Sequence, residues 1–384
     1  MPDNLPEALQ QTRAAMQHFI ETVLMPLDAQ CRAGAPVPPA LQEEVRLASR
    51  AAGFFGRTQP LAFGGDPAGT LELTLLREQL AAANTPLAAY VFGPGPGMLH
   101  AAEGELRRLY LEPVMRGEKR GAFGFTEPDT APRPSWAVLE GETLVVNGQK
   151  SYVTGGASCD FVCILVNVEH PDGSKAGTAM VVIDRDAPGV EIDKTFTSME
   201  GGGHVAMTFR DVRVPVANVI GKIGEGMPRA LGNIGNVRLL VAAQAMGMCL
   251  WVLDFVEAHL LAPHRSGSPL GDREGVRLRY ADMRIETYVA RSALYRTARL
   301  VESGANSGVN SVNEVIATKV FCTETAGRLV DMAVQLVGGQ ALVVGHPLEA
   351  LYRQVRSLRL VEGASDLLRI NLAKGRLELQ KGQV

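Results

Sequence analysis

The chain has 384 residues, of which 46% are hydrophobic and 21% are charged, and this balance excludes a disordered chain. Its length allows roughly two or three domains of about 100 to 200 residues each. The formal net charge of -3 gives no electrostatic basis for binding nucleic acid or an anionic membrane, so we expect a small-molecule substrate.

The first 120 residues are predicted to be helical. Apolar residues recur at spacings of three and four, with polar residues between them, in residues 5–27, 39–52, 70–83 and 103–116. Glycine and proline break the pattern between these segments, because proline lacks a donor and glycine costs backbone entropy. We therefore expect an N-terminal helical domain at residues 1–120.

The cysteines and the N-terminus indicate the compartment. The five cysteines are odd in number and form no Cys-x-x-Cys pair, which argues against a disulfide framework and against a metal site. The N-terminus carries Asp3, Glu7 and Glu21 and shows neither a secretory signal nor an Arg-rich transit peptide. These features predict a cytoplasmic protein with reduced cysteines.

From residue 121 the pattern changes to strands. Short runs rich in Val, Ile, Phe and Thr, separated by glycine-rich turns, occupy residues 143–147, 151–154, 161–168, 178–183, 190–192 and 205–214. No G-x-G-x-x-G follows a strand into a helix, so a Rossmann domain is not expected. Strands grouped between runs of helices predict an α+β fold, with a middle β domain at residues 121–220.

The remainder, residues 221–384, is predicted to form a C-terminal four-helix bundle. Helical patterns cover residues 227–262, 272–302, 312–337 and 348–380. Residues 239–253 are nearly all apolar, but this run is shorter than the roughly 20 residues that cross a membrane. A buried core helix is therefore expected there, and no membrane span.

Glu362 is the strongest candidate for chemistry. The helical pattern is interrupted at Gly363 and resumes after it, so Glu362 is predicted to lie at a helix junction. A carboxylate held there against apolar residues should have a raised pKa, which suits a base that removes a carbon-bound proton near neutral pH. The alternative is an exposed acid on a turn.

Several separated motifs support one family. They are FGFTEP at 123–128, KSYVTGG at 150–156, FRDVRVP at 209–215 with the turn Gly224-Glu225-Gly226, RSGSPL at 265–270, QLVGG at 335–339 and RLVEG at 359–363. In this order, and in a helical, β and helical setting, they resemble the acyl-CoA dehydrogenase family over essentially the whole chain. The resemblance implies the three domains predicted above, with FAD bound between the β domain and the bundle.

The resemblance also implies the flavin contacts. Thr126 and Thr154 would hydrogen-bond the flavin ring, and Tyr152 would pack on it and exclude water. The FAD pyrophosphate of a neighbouring subunit would meet Gln335, Gly338, Gly339 and Arg265. The active protein would then be at least a homodimer, and commonly a homotetramer. Taken singly, the threonines could be strand residues, the glycines a helix end, and Arg265 a solvated cation.

In the reaction that the resemblance implies, Glu362 removes the α proton of an acyl-CoA. The Glu362 N–H polarises the thioester carbonyl, Arg238 and Gly363 are predicted to bind substrate, and hydride passes from the β carbon to flavin N5. The product is a trans-2-enoyl-CoA, and electrons pass to an electron-transfer flavoprotein. In some family members the catalytic base instead lies directly before the arginine to which Arg238 corresponds. That position is Val237 here.

The chain departs from the family in places that bear on substrate identity. Ala131-Pro132-Arg133 replaces the usual Gly-Ser-Asp, Val361 replaces a tyrosine, Gly235 stands where an acidic residue is frequent, and no aromatic residue follows Arg265. Two alternatives therefore stay open. One is a flavin oxidase or monooxygenase on the same fold, and the other is a flavin-binding or assembly protein without turnover.

Overall fold

The computed structural model describes residues 5–31, 35–304 and 312–380. Contacts group the chain into two compact units. The first contains Met1–Thr58, Gly65–Gly93 and Gly235–Val384, and the second contains Gln59–Gly64 and Pro94–Ile234. The domain boundaries at residues 120 and 220 stay predictions.

The helices and strands alternate in blocks. The helices are α1 Glu7–Phe19, α2 Met25–Asp28, α3 Pro39–Ala51, α4 Thr70–Ala82, α5 Gly104–Leu106, α6 Glu112–Arg116, α7 Gly226–Leu261, α8 Glu274–Glu302, α9 Val312–Val337, α10 Pro347–Leu358 and α11 Ser365–Leu377. The strands are β1 Gly121–Gly124, β2 Trp136–Glu140, β3 Thr143–Thr154, β4 Phe161–Glu169, β5 Lys175–Asp184, β6 Val190–Thr197 and β7 Gly203–Pro215. This order confirms the predicted α+β fold.

Two predicted N-terminal helices each contain a wider turn. Ile20–Leu24 is a π-helical segment between α1 and α2, and Arg107–Leu111 is another between α5 and α6. Each lies just before a proline, Pro26 or Pro113, in the first turn of the helix that follows. Proline cannot donate the usual helical hydrogen bond, so the wider turn lets the helix continue past it.

The sheet of the second unit is mixed. β4 pairs antiparallel with β5 along one edge, while β1 and then β2 pair parallel with it along the other. The sheet continues through antiparallel pairs from β2 to β3, β7 and β6. Buried residues such as Val146, Ile164, Val181 and Val205 form one face of its core.

One predicted break in this sheet is wrong. Residues 143–147 and 151–154 belong to the single strand β3, which has irregular pairing with β7 at Gly148 and again after Lys150. Gly148 has φ 141°, and a Cβ there would overlap the Ser135 side chain. The glycine thus permits a bulge and a close approach to Ser135 without ending the strand.

The predicted helix bundle forms the core of the first unit. Buried residues of α7, α8, α9 and α10 share one hydrophobic cluster, which includes Ala242, Met246, Leu294, Leu329 and Leu351. Within the described part of the chain, α7 alone is long and apolar enough to cross a membrane, a test that buried core helices also pass. Its residues 242–256 are largely buried in this cluster, as expected of a core helix.

Candidate active site

Glu362 lies in the connection between α10 and α11. The N–H groups of Leu360 and Val361 donate to the Ser357 carbonyl at 2.8 and 3.1 Å, and the Ser365 N–H donates to the Arg359 carbonyl at 2.9 Å. These bonds close a tight turn over residues 359–364, so the predicted helix junction is confirmed.

The backbone at this junction has left-handed geometry at two consecutive residues. Glu362 has φ 55° and Gly363 has φ 106°. A residue with a Cβ pays about 1 to 2 kcal/mol in this region, so neighbouring groups must hold Glu362 there. Among the described residues, the Glu362 N–H has no hydrogen-bond partner and is left available to a ligand.

Two cationic side chains hold the carbonyl groups of these residues. Arg238 of α7 donates from Nε to the Glu362 carbonyl at 2.9 Å, and Lys319 of α9 donates from Nζ to the Gly363 carbonyl at 3.0 Å. Arg238 is 8% exposed and Lys319 is 0% exposed. Hydrogen bonds from charged donors are stronger than neutral ones, and burial shields these from water.

The same groups set the ionisation of Glu362. Burial raises the pKa of Glu362 above its usual value, while the charges of Arg238 and Lys319 oppose that rise. This direction agrees with the sequence prediction. Burial and, to a smaller extent, the nearby Arg238 charge together lower the pKa of Lys319 to about 8. The half-buried carboxyl is therefore less acidic than a surface glutamate.

Arg238 lies beside Glu362, but the described contact differs from the one predicted. Its guanidinium bonds the Glu362 backbone, and one of its terminal nitrogens lies 3.5 Å from the position of a Cβ on Gly363. Arg238 therefore supports the junction directly. Its predicted role in binding substrate stays a prediction, as does that of Gly363.

Lys319 was not among the residues predicted from the sequence. Its position carries a helical signal, because it follows Ile316 by three residues and precedes Thr323 by four, and both are buried on α9. A lysine on the buried face of a helix requires a partner, since lysine is almost never fully buried without one. The partner, a backbone carbonyl 44 residues away, could not be inferred from spacing.

In the second unit, the structure brings together the segments that carry Thr126 and Thr154. The Ser151 N–H donates to the Thr126 carbonyl at 2.8 Å, which ties the loop after β1 to β3. Thr126 is exposed, Tyr152 is 65% exposed, and Tyr152 has φ 56°. The Thr154 hydroxyl lies 3.2 Å from His204 Nδ1.

A buried lysine also anchors the Thr126 loop. Lys150 is 1% exposed, and its Nζ lies 2.7 Å from Glu127 Oε1. The same oxygen accepts a hydrogen bond from the Ser135 N–H at 2.8 Å. Burial would raise the pKa of Glu127, but the hydrogen bonds from Lys150 and Ser135 lower it overall. This ion pair thus fixes the loop that carries Thr126.

The remaining predicted cofactor residues lie at chain turns. Gln335 is exposed near the end of α9, which stops at Val337, and Gly338 follows with φ 82°. No atom lies within 4 Å of a Cβ built on Gly338 or Gly339. Arg265 is exposed in the loop between α7 and α8.

Arg133, the cation that replaces an expected acid, has structural partners. It forms an ion pair with Glu169, and its guanidinium lies 4.4 Å from the centre of the Trp136 ring. Both contacts lie within the sheet unit and fix the loop before β2.

These residues fit the FAD that the motifs imply. Exposed hydroxyls and an exposed aromatic ring lie on adjoining segments around Thr126 and Tyr152. The backbone at Gly338 and Gly339 is bare and unobstructed, as close approach of a phosphate requires. The donor set is therefore suitable for a flavin ring and for a pyrophosphate.

Family models match three successive parts of the chain. The acyl-CoA dehydrogenase N-terminal domain matches residues 6–118, the middle domain matches residues 122–212, and the C-terminal domain matches residues 224–377. The matches extend over nearly the full sequence. The chain belongs to the acyl-CoA dehydrogenase family.

Individual relatives include both dehydrogenases and reductases. The short-chain specific acyl-CoA dehydrogenase of Clostridium acetobutylicum is 27% identical, over 96% of this chain and 98% of that protein. Acryloyl-CoA reductase (NADH) of Anaerotignum propionicum is 28% identical, over 84% of this chain and 83% of that protein. Subunit CarC of the caffeyl-CoA reductase-Etf complex of Acetobacterium woodii is 26% identical, over 82% of this chain and 84% of that protein.

A solved structure shows the same fold. The acyl-CoA dehydrogenase of Geobacillus kaustophilus superposes with a TM-score of 0.79 and covers 97% of this chain and 99% of that one. At 21% identity this likeness concerns the fold alone.

Proposed function

We propose that this protein catalyses the FAD-dependent α,β-dehydrogenation of an acyl-CoA thioester to a trans-2-enoyl-CoA, with Glu362 as the base. The observation that carries the proposal is the placement of Glu362. It is a half-buried carboxyl with a raised pKa, in a family of acyl-CoA enzymes, at a junction held by two cations.

Glu362 has two tasks in this proposal. Its carboxylate takes the α proton, and a raised pKa suits it to that task, because a general base works best when its pKa lies near the working pH. Its N–H, which has no partner among the described residues, donates to the thioester carbonyl and stabilises the charge that develops there. The left-handed backbone fixes the relation between these two groups.

Residues from the motifs at 123–156 and from the motifs at 265–339 would hold the flavin. Thr126, Tyr152 and Thr154 would contact its ring, and Gln335, Gly338, Gly339 and Arg265 would contact the pyrophosphate. Bound FAD supplies an acceptor for the hydride that leaves the β carbon. Tyr152 would pack on the ring and exclude water from it, and the two threonines would fix its position by hydrogen bonds.

An electron-transfer flavoprotein is the proposed electron acceptor. Support comes from the Acetobacterium woodii relative, whose own name places it in a complex with Etf. Contact between Gly338 and the cofactor of a neighbouring subunit would require a homodimer or homotetramer.

The decisive experiment is anaerobic titration of the purified protein with a panel of acyl-CoAs. Bleaching of the flavin absorbance reports its reduction. We expect Glu362→Gln to retain FAD and to lose more than about a hundredfold in reduction rate, the low end for loss of a general base. Glu349→Gln on α10, which removes an acid paired with Arg353, is the matched control. Unchanged reduction in Glu362→Gln would reassign the base.

The titration also separates the alternative functions. Oxygen consumption without an electron-transfer flavoprotein would favour an oxidase or monooxygenase. Bound FAD that no acyl-CoA bleaches would favour a protein without turnover.

A further inference from the structure

Lys319 is a fully buried ammonium group, and among the residues that the structure describes its one hydrogen-bond acceptor is a main-chain oxygen. It is 0% exposed, it donates to the Gly363 carbonyl at 3.0 Å, and within the described chain it has no carboxylate partner within 4 Å. A buried charge is costly, and an apolar side chain of similar volume often stabilises a core better. Contribution to stability alone is therefore a poor explanation for this residue.

The backbone that Lys319 holds is the strained part of the junction. Glu362 and Gly363 have consecutive positive φ angles, and their carbonyl groups accept from Arg238 and Lys319 respectively. The two donors come from different helices, α7 and α9. Two carbonyls held from two directions leave the peptide planes on either side of Gly363 little freedom to rotate.

We propose that Lys319 is a positioning residue for Glu362. Together with Arg238, it fixes the two peptide planes that flank Gly363. The chain directly after Glu362 is thereby restrained, so that Glu362 keeps its left-handed conformation and its carboxylate and N–H keep one relative orientation. This inference rests on the proposed function of Glu362 as the base.

Charges around the junction give the proposal a second observable. Arg238 and Lys319 both favour the ionised form of Glu362. The charge of Glu324, also on α9, raises the pKa of Lys319, and Glu324 is itself paired with Arg359 at 2.8 Å and with Arg369 of α11 at 3.5 Å. Loss of the Lys319 charge should therefore raise the pKa of Glu362 further. The acidic limb of the pH profile would move to higher pH, because Glu362 must be ionised to act as a base.

The test is Lys319→Met, which removes the charge and the donor but keeps an unbranched side chain. We expect it to bind FAD and to be reduced by a wild-type substrate about tenfold to a hundredfold more slowly, the scale of a small misplacement of a catalytic group. The acidic limb of its reduction rate should lie at higher pH. Affinity for the acyl-CoA should change little, so the loss falls on the rate of reduction.

Two further variants separate positioning from general damage to α9. Lys319→Arg restores a charged donor and should recover part of the rate and shift the acidic limb back. Thr323→Val removes a buried hydroxyl one turn along α9, where it bonds the Lys319 carbonyl at 2.9 Å, and should behave like wild type. Hydrogen exchange without substrate gives a readout independent of turnover. Amides 360–365 should exchange about tenfold faster in Lys319→Met.

The outcomes are distinct. If no acyl-CoA bleaches the wild type, the proposed function fails, and the role of Lys319 fails with it. If the wild type is bleached and Lys319→Met matches it in rate, acidic limb and exchange, only the positioning role is overturned. If both Lys319 variants fail to fold, Lys319 is a folding residue and the proposal is also overturned.

Discussion

At Lys150 the sheet unit buries an ammonium group beside a carboxylate. The pair with Glu127 is short, and Glu127 also accepts from the Ser135 N–H. Removing one member of a buried pair leaves the other without compensation, and this costs more than the pair itself contributes. The lysine thus stabilises the loop that carries Thr126.

We predict that Lys150→Met lowers stability by about 2 kcal/mol, below the usual cost for a fully buried pair because Glu127 is partly exposed. Lys175→Met, at an exposed position on β5, should stay within about 0.5 kcal/mol of wild type. Thermal unfolding at neutral pH measures both. Equal midpoints for the two variants would contradict the prediction.

At acidic pH, the difference in stability between Lys150→Met and wild type should be smaller. The pKa of Glu127 is lowered in the folded protein, so its contribution is present above its unfolded pKa and is lost as the pH falls through the folded pKa. Below that point the wild-type pair is also broken. Repeating the unfolding experiment in acid tests the sign.

At the scale of elements, the α10–α11 connection depends on Gly363. A Cβ there would lie 3.0 Å from Leu368 Cδ2 and 3.3 Å from Leu368 Cγ, at a φ of 106°. Leu368 is fully buried, so it has little room to move. A side chain at position 363 would therefore push the junction away from α11.

We predict that Gly363→Ala destabilises the protein by about 1 to 3 kcal/mol, the cost of a strained backbone, and slows flavin reduction because Glu362 moves with it. Gly275→Ala, in the first turn of α8 with no atom within 4 Å of the new Cβ, should be neutral or slightly stabilising. Unfolding midpoints and reduction rates of the two variants decide the matter. Wild-type values for Gly363→Ala would show that the junction tolerates a side chain.

Sequence patterns predicted the elements that are long and strongly periodic. Helices α3, α4, α7 and α9 begin and end within about two residues of their predicted limits. Strands β1 and β2 were not predicted, because both are short; β1 forms through pairing with β4, a contact distant in sequence, and β2 pairs with β4 as well as with the adjacent β3. Local propensity carries no information on such pairing.

The features of the candidate site also divide into those that the sequence predicts and those that it does not. Glu362 could be found because a glycine after an acid interrupts a helical pattern. The hydrogen bonds from Lys319 and Arg238 to the backbone of this junction could not be predicted, because they depend on the packing of three separate helices. The ion pair of Arg133 with Glu169 could not be predicted either, because it joins residues distant in sequence.

At the scale of the whole molecule, the proposed cofactor contacts require more than one chain. Gly338 and Gly339 present open backbone, and Gln335 beside them is exposed. We predict an oligomer of at least two chains by light scattering, with FAD and subunits lost together on dilution. A monomer that keeps its full complement of FAD would contradict this prediction.

The burial of Lys319 and Lys150 has a chemical consequence for a protein that handles thioesters. A free amine attacks a thioester and becomes permanently acylated, and the lowered pKa of Lys319 leaves more of it in the reactive neutral form. Both amines are sealed from solvent, so reagent cannot reach them. Lys319, which supports the Glu362 junction, and Lys150, which supports the Thr126 loop, are thus protected from acylation by the substrate.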